Sequence, residues 1–356
     1  MTTPFDGYGI SVVVKNYCYH LKDLVCFDFL LCAGCSENEN AFFQNNSFNT
    51  FVPGISRNKH PLLYRKWLKS FILSNRYDVV HAHGNSGTLF FDISAAKKAN
   101  VEIRIAHCHN SSCNHKLVHY LLKRSLNRIA TIKLACSDLA GKWLFGKGYL
   151  VLNNAIDADS FSFSPVVRDE LRKNLNLCEE KVLLNVGRLH KQKNQLFLIN
   201  VMQKLLSLDK SFKLIIVGDG PLRERIETEI ATLRLEKSVI LSGKKDEVKD
   251  FYSCADLFLF PSLYEGLGLV AVEAEASGLT VLASKNVPNE INITSNVCFL
   301  DLDIEKWAEA IIKHFKIKKI DREKTSETAC FKIRANNYDI KTNSKTLLNI
   351  YNNSTE

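Results

Sequence analysis

Two glutamates, Glu265 and Glu273, lie eight positions apart and bracket a loop that contains Gly266 and Gly268. Glycine lets a backbone turn sharply and come close to a ligand. A helix that starts after such a loop offers unpaired N–H groups and the positive end of its dipole, which favour an anion. Because the Cβ of Glu273 tilts toward the helix start, both carboxylates are predicted to face one crevice. The alternative is a pair of surface glutamates on an ordinary strand–helix unit.

Two predicted elements position this pair. The apolar run Ala255–Phe260 is bounded by turn signals and predicts a short buried strand. The segment Leu269–Ala276 is apolar on one side and is followed by Gly278, which predicts a helix with a glycine at its C-terminal end.

A second candidate segment, Asn185–Asn194, follows another apolar run. Gly187 permits a tight exit from the strand, and Arg188 and Lys193 are predicted to point into the crevice beside Glu265. A pyrophosphate leaving group gains negative charge as its bond to the sugar breaks. Two fixed cations would therefore stabilise the transition state more than the ground state. The alternative is a solvated basic loop.

The segment 261–278, P-S-L-Y-E-G-L-G-L-V-A-V-E-A-E-A-S-G, closely resembles the E-x7-E signature of retaining glycosyltransferases of family 4. The run V-G-R-L-H-K-Q-K at 186–193 matches the same family. The resemblance implies that Glu265 lies near the donor sugar and that Glu273 binds the nucleotide ribose. It also implies that Arg188 and Lys193 contact the donor diphosphate. The loop amides of Gly266, Leu267 and Gly268 would help to hold the pyrophosphate.

Two further glycine turns match the family less specifically. Gly218 begins G-D-G-P, a strand-to-helix turn in which Pro221 suits the first helical position. The resemblance implies a place near the nucleotide base, with a purely structural role as an equal alternative. Gly9 ends a turn-rich start over residues 2–9, and the family's corresponding loop faces the crevice.

Histidines at 107, 109 and 115 raise the question of a metal site. Alternate side chains at one strand end, such as those of His107 and His109, are expected to point to opposite faces, and no second ligand cluster follows at zinc-like spacing, so we do not expect a metal there. A structural histidine is one alternative. The resemblance favours His109 as a contact to the donor sugar or to developing charge, with His107 in reserve. His81 and His83 are predicted to be structural or to face the acceptor.

Composition limits the classes of function. With 356 residues, 46% hydrophobic and 24% charged, the chain is long enough for two globular domains. A net charge of +9 without a zinc-finger spacing or an RNP-like motif favours phosphate-bearing ligands and an anionic membrane face over nucleic acid. The 11 scattered cysteines, Cys32 and Cys35 included, are predicted to be reduced thiols in the cytoplasm. We expect no secretory segment, because residues 1–9 are short and polar, and no membrane span, because no apolar run approaches about 20 residues.

Strands and helices alternate along most of the chain, which predicts parallel sheets built from βαβ units. The resemblance implies a GT-B fold, with two doubly wound Rossmann-like domains facing a crevice. We predict an acceptor-side domain over 1–155, a nucleotide-sugar domain over 156–335, and a last helix within 336–356 that packs on the first domain. Residues 36–49 are predicted to form a loop, and 153–165 a linker. The first domain is expected to lack its first strand and to be marginally stable, through a late start or a true truncation.

The predicted function is a retaining glycosyltransferase that uses a nucleotide-diphosphate sugar and no metal. Family members of this kind often extend capsule or lipopolysaccharide chains on a polyprenyl carrier at the inner membrane face. A basic amphipathic helix, Lys116–Ile129, is predicted to bind anionic bilayers, with a solvated face as the alternative. The rival functions are a nucleotide-sugar epimerase on the same fold and a non-catalytic partner subunit.

Overall fold

The computed structural model describes residues 5–7, 9–245, 247–316 and 321–352. The strands are β1 (Asp28–Leu30), β2 (Asn49–Phe51), β3 (Val79–Gly84), β4 (Ile103–Cys108), β5 (Ile132–Ala135), β6 (Leu150–Val151), β7 (Lys181–Val186), β8 (Phe212–Val217), β9 (Val239–Gly243), β10 (Leu257–Phe260), β11 (Thr280–Ser284) and β12 (Val297–Leu300). The helices are α1 (Ile10–Leu21), α2 (Glu37–Asn45), α3 (Pro61–Asn75), α4 (Phe90–Lys98), α5 (Lys116–Ile129), α6 (Asp138–Leu144), α7 (Pro165–Asn174), α8 (Gln195–Leu208), α9 (Arg223–Thr232), α10 (Lys249–Cys254), α11 (Leu269–Ala276), α12 (Ile304–Lys316), α13 (Arg322–Ala335) and α14 (Ile340–Asn352). Short 3₁₀ turns cover Gly87–Leu89, Lys191–Lys193 and Asn289–Ile291.

The chain divides into two compact units. Unit 1 comprises Met1–Ala155 and Ile340–Glu356, and unit 2 comprises Ile156–Asp339. The paired strands of both units run parallel. The fold class is therefore α/β with parallel sheets, as the alternation of strands and helices predicts.

Unit 2 is built on one six-stranded sheet in the order β12-β11-β10-β7-β8-β9. Its strands are apolar on both faces. Leu183 of β7 packs in a core with α8 and α12, whereas its neighbours Val182 and Leu184 pack in a core with α10 and α11. Because successive side chains of a strand point to opposite faces, helices cover both sides of this sheet, which is the doubly wound arrangement.

The strands of unit 1 form two parallel sheets among the described residues, one of four strands in the order β3-β4-β5-β6 and one of β1 and β2. Phe5 also pairs with Cys35 through an isolated bridge. Helices α4, α5 and α6 pack on the four-stranded sheet around Ala106, Leu126 and Leu144. The expectation of a missing first strand concerns the start of the chain, where Met1–Pro4 lie outside the described residues, and it stays a prediction.

The prediction of a loop over residues 36–49 is wrong. Residues Glu37–Asn45 form α2, which begins after Ser36 and has two glutamates in its first turn. Phe43 of this helix is buried, and its ring lies 4.8 Å from that of Phe5 and 5.0 Å from that of Phe29. The polar composition of residues 36–49 favours a loop, but the packing of Phe43 against Phe5 and Phe29 stabilises a helix.

Two helix starts also differ from the sequence-based expectation. The sequence predicts a linker that ends at Pro165, but Pro165 is the first residue of α7, and the side chain of Ser164 accepts a hydrogen bond from the backbone N–H of Val167. The sequence predicts Pro221 at the first helical position, but Pro221 lies in a turn and α9 begins at Arg223. A proline fixes φ for a turn as well as for a helix start, so its presence alone does not distinguish the two.

All 11 cysteines are free thiols. Cys32 and Cys35 form no disulfide, and the hydroxyl of Tyr64 lies 3.2 Å from Sγ of Cys32. In the described part of the chain, every helix is too short or too polar to cross a bilayer.

Candidate active site

The carboxyl edge of the unit 2 sheet contains a point at which the order of strands reverses. β7 lies between β8 on one side and β10 on the other. The connections that follow these strands lead away from each other and leave an opening at the carboxyl edge, which is where open parallel sheets bind their ligands. The two candidate loops, residues 187–194 and 261–268, follow β7 and β10.

Hydrogen bonds hold these two loops against each other. The backbone N–H of Leu263 donates to the carbonyl of Gln192 at 2.8 Å, and the side-chain amide of Gln192 donates to the carbonyl of Tyr264 at 2.8 Å. The amide of Asn194 donates to the carbonyl of Pro261 at 3.3 Å. The side chains that the loops carry therefore start from fixed backbone positions.

Lys193 and Glu265 form an ion pair across the two loops. Nζ of Lys193 lies 2.6 Å from Oε1 of Glu265, and Nε2 of Gln192 lies 3.4 Å from Oε2. The Glu265 side chain is only 7% exposed, against 21% for Lys193. A Cβ built at Gly187 would lie 3.5 Å from Cδ of Lys193, so the lysine stem runs along the glycine. The site therefore contains a buried carboxylate in contact with a cation that solvent still reaches.

The start of α11 lies beside this pair. The residue before the helix, Gly268, has φ +88°, and a Cβ there would lie 2.7 Å from the ring of Phe260 and 3.8 Å from Cγ of Glu265. The left-handed backbone and this close approach both require glycine. No described side chain forms a capping hydrogen bond at this helix end. The first-turn N–H groups and the positive end of the dipole thus offer a place for an anion.

Glu273 lies in the second turn of α11, and its partner is Tyr252 of α10. The Tyr252 hydroxyl donates to Oε2 of Glu273 at 2.6 Å. Burial raises the pKa of Glu273 to about 7, while the hydrogen bond from Tyr252 and the charge of Lys193 act to lower it. Burial, together with the neighbouring carboxylate, raises the pKa of Tyr252 well above its ordinary value. Lys193 therefore contacts Glu265 directly and also acts on Glu273 through its field.

The turn after β8 packs on the loop after β7 without room for side chains. A Cβ at Gly218 would lie 2.0 Å from the carbonyl oxygen of Gly187, and one at Gly220 would lie 2.5 Å from that of Leu189. The N–H of Leu189 donates to the carbonyl of Asp219 at 3.0 Å. These contacts set the backbone on either side of Arg188, whose side chain is exposed.

The remaining candidate residues belong to unit 1. Gly9 precedes the first residue of α1 with φ +55°, and a Cβ there would meet nothing within 4 Å. His109 follows β4 and is buried. The two belong to unit 1, whereas Glu265 and Lys193 belong to unit 2.

The argument that the histidine side chains at this strand end point to opposite faces is wrong. Residues two apart on a strand share a face, and the rings of His107 and His109 lie 4.1 Å apart. β3 pairs with β4 so that His83 lies opposite His107, and the rings of His81 and His83 stack at 4.0 Å. Burial lowers the pKa of His81 to about 3 and that of His109 to about 4, the latter against a hydrogen bond with Asn154. Burial also lowers the pKa of His83 and His107 well below the usual value.

Sequence reasoning missed this convergence because it treated each histidine pair separately. The useful signal was His-x-His at the carboxyl ends of two consecutive predicted parallel strands, which register brings together. Among the described residues, His81, His83 and His107 are the group that offers three metal-ligand atoms within 4.8 Å of one another. Tyr252 was also missed, since its contact with Glu273 joins two helices and has no local sequence pattern.

Comparison with known proteins agrees with this architecture. A family model described as glycosyl transferases group 1 matches residues 167–330. The chain is 30% identical to "Putative glycosyltransferase EpsF" of Bacillus subtilis over 369 residues, 98% of this chain and 94% of that protein. It is 28% identical to the UDP-Gal:alpha-D-GlcNAc-diphosphoundecaprenol alpha-1,3-galactosyltransferase of Escherichia coli, over 70% of this chain and 67% of that one.

Solved structures share the fold. Anabaena HepE, crystallised with UDP, superposes with a TM-score of 0.79 at 18% identity, over 97% of each chain. WaaG, a glycosyltransferase involved in lipopolysaccharide biosynthesis, superposes with a TM-score of 0.71 at 17% identity, over 98% of this chain and 99% of that one. These likenesses establish two Rossmann-like domains of the GT-B class. The relative that is 30% identical along nearly its whole length, together with the family model, shows that the chain is a glycosyltransferase and belongs to the glycosyl transferases group 1 family.

Proposed function

We propose that this chain is a retaining glycosyltransferase of family 4 that moves a sugar from a nucleotide-diphosphate sugar to a glycan or lipid-linked acceptor. One observation carries the proposal: the ion pair of Lys193 with Glu265 lies where the strand order reverses, beside the uncapped start of α11. A cation and a helix N-terminus suit a diphosphate, and a nearby carboxylate suits sugar hydroxyls.

In this proposal the donor diphosphate binds Arg188, Lys193 and the backbone amides of residues 266–268. The glycines at 187 and 218 let the backbone approach it, since neither carries a side chain at the point where the two turns touch. Glu273, five residues into α11, accepts hydrogen bonds from the ribose hydroxyls. An ionised carboxylate is an acceptor-only group, so it pairs well with a diol.

Transfer breaks the bond between the anomeric carbon of the sugar and the β-phosphate oxygen, and the nucleotide diphosphate leaves with the bonding electrons. The acceptor oxygen forms its bond to that carbon on the same face, and its proton moves to the leaving phosphate oxygen. The two cations are placed to stabilise the negative charge that develops on the phosphate. Glu265 lies near the donor sugar, and covalent attack by Glu265 is the alternative route.

The chemistry of this site supports transfer without a metal ion. Arg188, Lys193 and the α11 dipole supply the positive charge that a divalent cation supplies in other nucleotide-sugar enzymes. His109 is assigned a contact with the donor sugar, in which its buried neutral imidazole would act as a hydrogen-bonding group rather than as a cation.

The acceptor is proposed to be carried on a polyprenyl lipid in surface polysaccharide biosynthesis, at the inner face of the membrane. The Escherichia coli relative is named for a diphosphoundecaprenol-linked acceptor, and HepE was crystallised with UDP-glucose. On α5, Leu117 is 75% exposed and Leu121 is 69% exposed, and both lie on the same helix as Lys116 and Arg124. Exposed apolar and basic side chains on one amphipathic helix are typical of a helix that lies on an anionic bilayer.

Donor turnover tests this function directly. The purified chain is incubated with a panel of UDP-sugars, with and without a diphosphopolyprenyl-linked sugar, and the release of UDP and the anomeric configuration of the product are measured by NMR. We expect UDP release that requires the acceptor, and a product with the configuration of the donor. Release of nucleotide and free sugar without acceptor would instead indicate an epimerase, and no turnover with any donor would indicate a non-catalytic subunit.

A further inference from the structure

Four histidines of unit 1 form a stacked group, the histidine cluster, at the carboxyl ends of β3 and β4: His81, His83, His107 and His109. Nε2 of His81 lies 3.1 Å from Nδ1 of His107, and Nδ1 of His83 lies 3.0 Å from Nε2 of His109. We propose that this cluster binds one transition-metal ion, Zn²⁺ foremost, through a ring nitrogen each of His81, His83 and His107. The proposal does not depend on the function proposed above.

The spacing of the nitrogens fits a shared ion. Two ligands of a tetrahedral Zn²⁺, each about 2.0–2.1 Å from the metal, are about 3.3 Å apart. The His81 and His107 nitrogens already lie 3.1 Å apart, and the third nitrogen, from His83, lies within 4.8 Å of the other two. Three positions of the tetrahedron are filled if the His83 nitrogen moves to about 3.3 Å from the other two, and the fourth remains open to water or another ligand.

The ligand rings are fixed by their surroundings rather than by the ion. The Tyr351 hydroxyl lies 2.8 Å from Nδ1 of His81, and His109 contacts His83 through the pair of nitrogens given above. Metal-binding histidines commonly have their other ring nitrogen held in this way, which fixes the tautomer and the ring plane. A site with preset rings loses less conformational entropy when the ion binds.

His107 supplies an independent sign that a partner is missing from the cluster. It is 1% exposed, and its Nε2 has no hydrogen-bond partner among the described residues. Buried polar atoms without a partner are uncommon and call for an explanation. A cation held by Nε2 of His107 would give this nitrogen a partner, whereas a cation held by Nδ1, the nitrogen 3.1 Å from His81, would leave Nε2 as a buried N–H without one.

The donor set selects the type of metal. Imidazole nitrogen suits Zn²⁺, Ni²⁺ and Cu²⁺, whereas Mg²⁺ and Mn²⁺ prefer carboxylate, carbonyl and water oxygens. An ion in the cluster would link β3 to β4 and, through the hydroxyl of Tyr351, to α14. Because it binds the folded state, it is expected to stabilise unit 1 in proportion to its affinity.

Metal binding by the full chain tests the proposal. The protein is stripped with chelator, dialysed, and titrated with ZnCl₂ and separately with CoCl₂, and binding is followed by calorimetry, thermal shift and visible absorption. We expect one equivalent of Zn²⁺ bound, a higher melting temperature, and Co²⁺ d–d bands of a nitrogen-rich site. No saturable binding by the wild type, or a cobalt spectrum with thiolate charge-transfer bands, would overturn it, since the latter assigns the ion to cysteines.

Substitutions of single histidines test which side chains bind the ion. His83→Asn and His81→Asn should each weaken Zn²⁺ binding at least about tenfold, because even loss of a group that only supports a ligand costs roughly 10–100-fold in metal affinity, and circular dichroism checks that each variant folds. His115→Asn, an exposed histidine of the same unit outside the cluster, is the matched control and should bind as the wild type does. Equal affinity in all three variants contradicts the assignment. If either cluster variant does not fold, the wild-type cobalt spectrum and stoichiometry still decide between nitrogen and thiolate ligands.

Discussion

The hydroxyl of Tyr252 donates a 2.6 Å hydrogen bond to Oε2 of Glu273. This contact holds the carboxylate on α11 from the side of α10, while Lys193 acts on it through its charge. Burial nevertheless dominates, so the pKa of Glu273 is raised to about 7. The protonation state of the proposed ribose-binding group therefore changes near neutral pH.

We predict that donor affinity falls as the pH drops through about 7, because protonation removes acceptor capacity from Glu273. Calorimetric titration with UDP between about pH 6 and about pH 8 measures the effect, which covers one unit on each side of that pKa. Tyr252→Phe removes the hydrogen bond that lowers this pKa, so the midpoint should move to higher pH. Glu273→Gln should bind more weakly and without this pH dependence.

The raised pKa of Glu273 also makes the stability of the folded protein without ligand depend on pH. The pKa of Glu273 in the folded chain, about 7, lies above the ordinary value of 4.5, so the folded state takes up more protons between these two pH values. The stabilisation is fully present below pH 4.5 and is lost as the pH rises through about 7. The melting temperature of the wild type should therefore fall relative to that of Glu273→Gln over this range, and parallel curves would contradict the shift.

Turnover should depend on the charged residues of unit 2. Arg188→Ala, Lys193→Ala and Glu273→Ala should each reduce turnover by about 10² or more, as loss of a fixed transition-state contact does. Lys191→Ala changes an exposed lysine of the same 3₁₀ turn as Lys193, and we expect it to retain activity. Unfolding temperatures should change little for Arg188→Ala, whose side chain is exposed. Wild-type turnover in the Arg188 or Glu273 variant removes the site assignment.

The parts of the site that follow one local pattern could be predicted from the sequence. Helix α11 has the bounds predicted for it, since its apolar positions, the preceding glycine and Gly278 at its end all lie within a few residues. The contact of Lys193 with Glu265 was anticipated only as proximity, because the sequence does not show the hydrogen bonds that hold the two loops together. The histidine cluster depends on the register of β3 against β4, and α2 depends on buried phenylalanines from distant segments. Such long-range contacts override local composition.

Transfer should survive chelation. If Arg188, Lys193 and the α11 dipole carry the positive charge, EDTA should leave turnover within about twofold of the untreated rate, a change of less than about 0.5 kcal/mol in the barrier. Complete loss that Mg²⁺ or Mn²⁺ restores would falsify metal-free transfer. Zinc bound at the histidine cluster is a separate matter, because its removal should lower the melting temperature rather than abolish turnover at moderate temperature.

Helix α5 should help to hold the protein on anionic bilayers. The Lys123 ammonium donates to the carbonyl of Trp143, so its replacement would also disturb packing. Lys116 and Arg124 are exposed and are better test positions. Each basic residue near an anionic surface contributes roughly 1 kcal/mol, so reversing both charges should weaken vesicle binding about tenfold or more at low salt.

Co-sedimentation with vesicles that contain anionic phospholipid measures this effect. The control is Lys97→Glu with Lys98→Glu, which reverses two exposed charges on α4 of the same unit. If the control loses as much binding as the α5 variant, only net charge matters. If neither loses binding at low salt, α5 is not the contact.

The absence of a side chain at Gly218 matters both for the stability of unit 2 and for the geometry of its candidate site. Gly218 has φ +142°, and a Cβ there would lie 2.0 Å from the carbonyl oxygen of Gly187, a backbone atom that cannot move without moving the loop that bears Arg188. Gly243 also has positive φ, +69°, but a Cβ there would meet only the tip of the Arg223 side chain at 3.8 Å.

Gly243→Ala should therefore cost about 1–2 kcal/mol from backbone strain alone. Gly218→Ala should cost at least about twice that and should also weaken binding of UDP, because the strain or clash must be relieved by displacing one of the two turns. Thermal unfolding with UDP titration compares the two variants, and equal losses in both measurements would show that the packing of these turns does not shape the site.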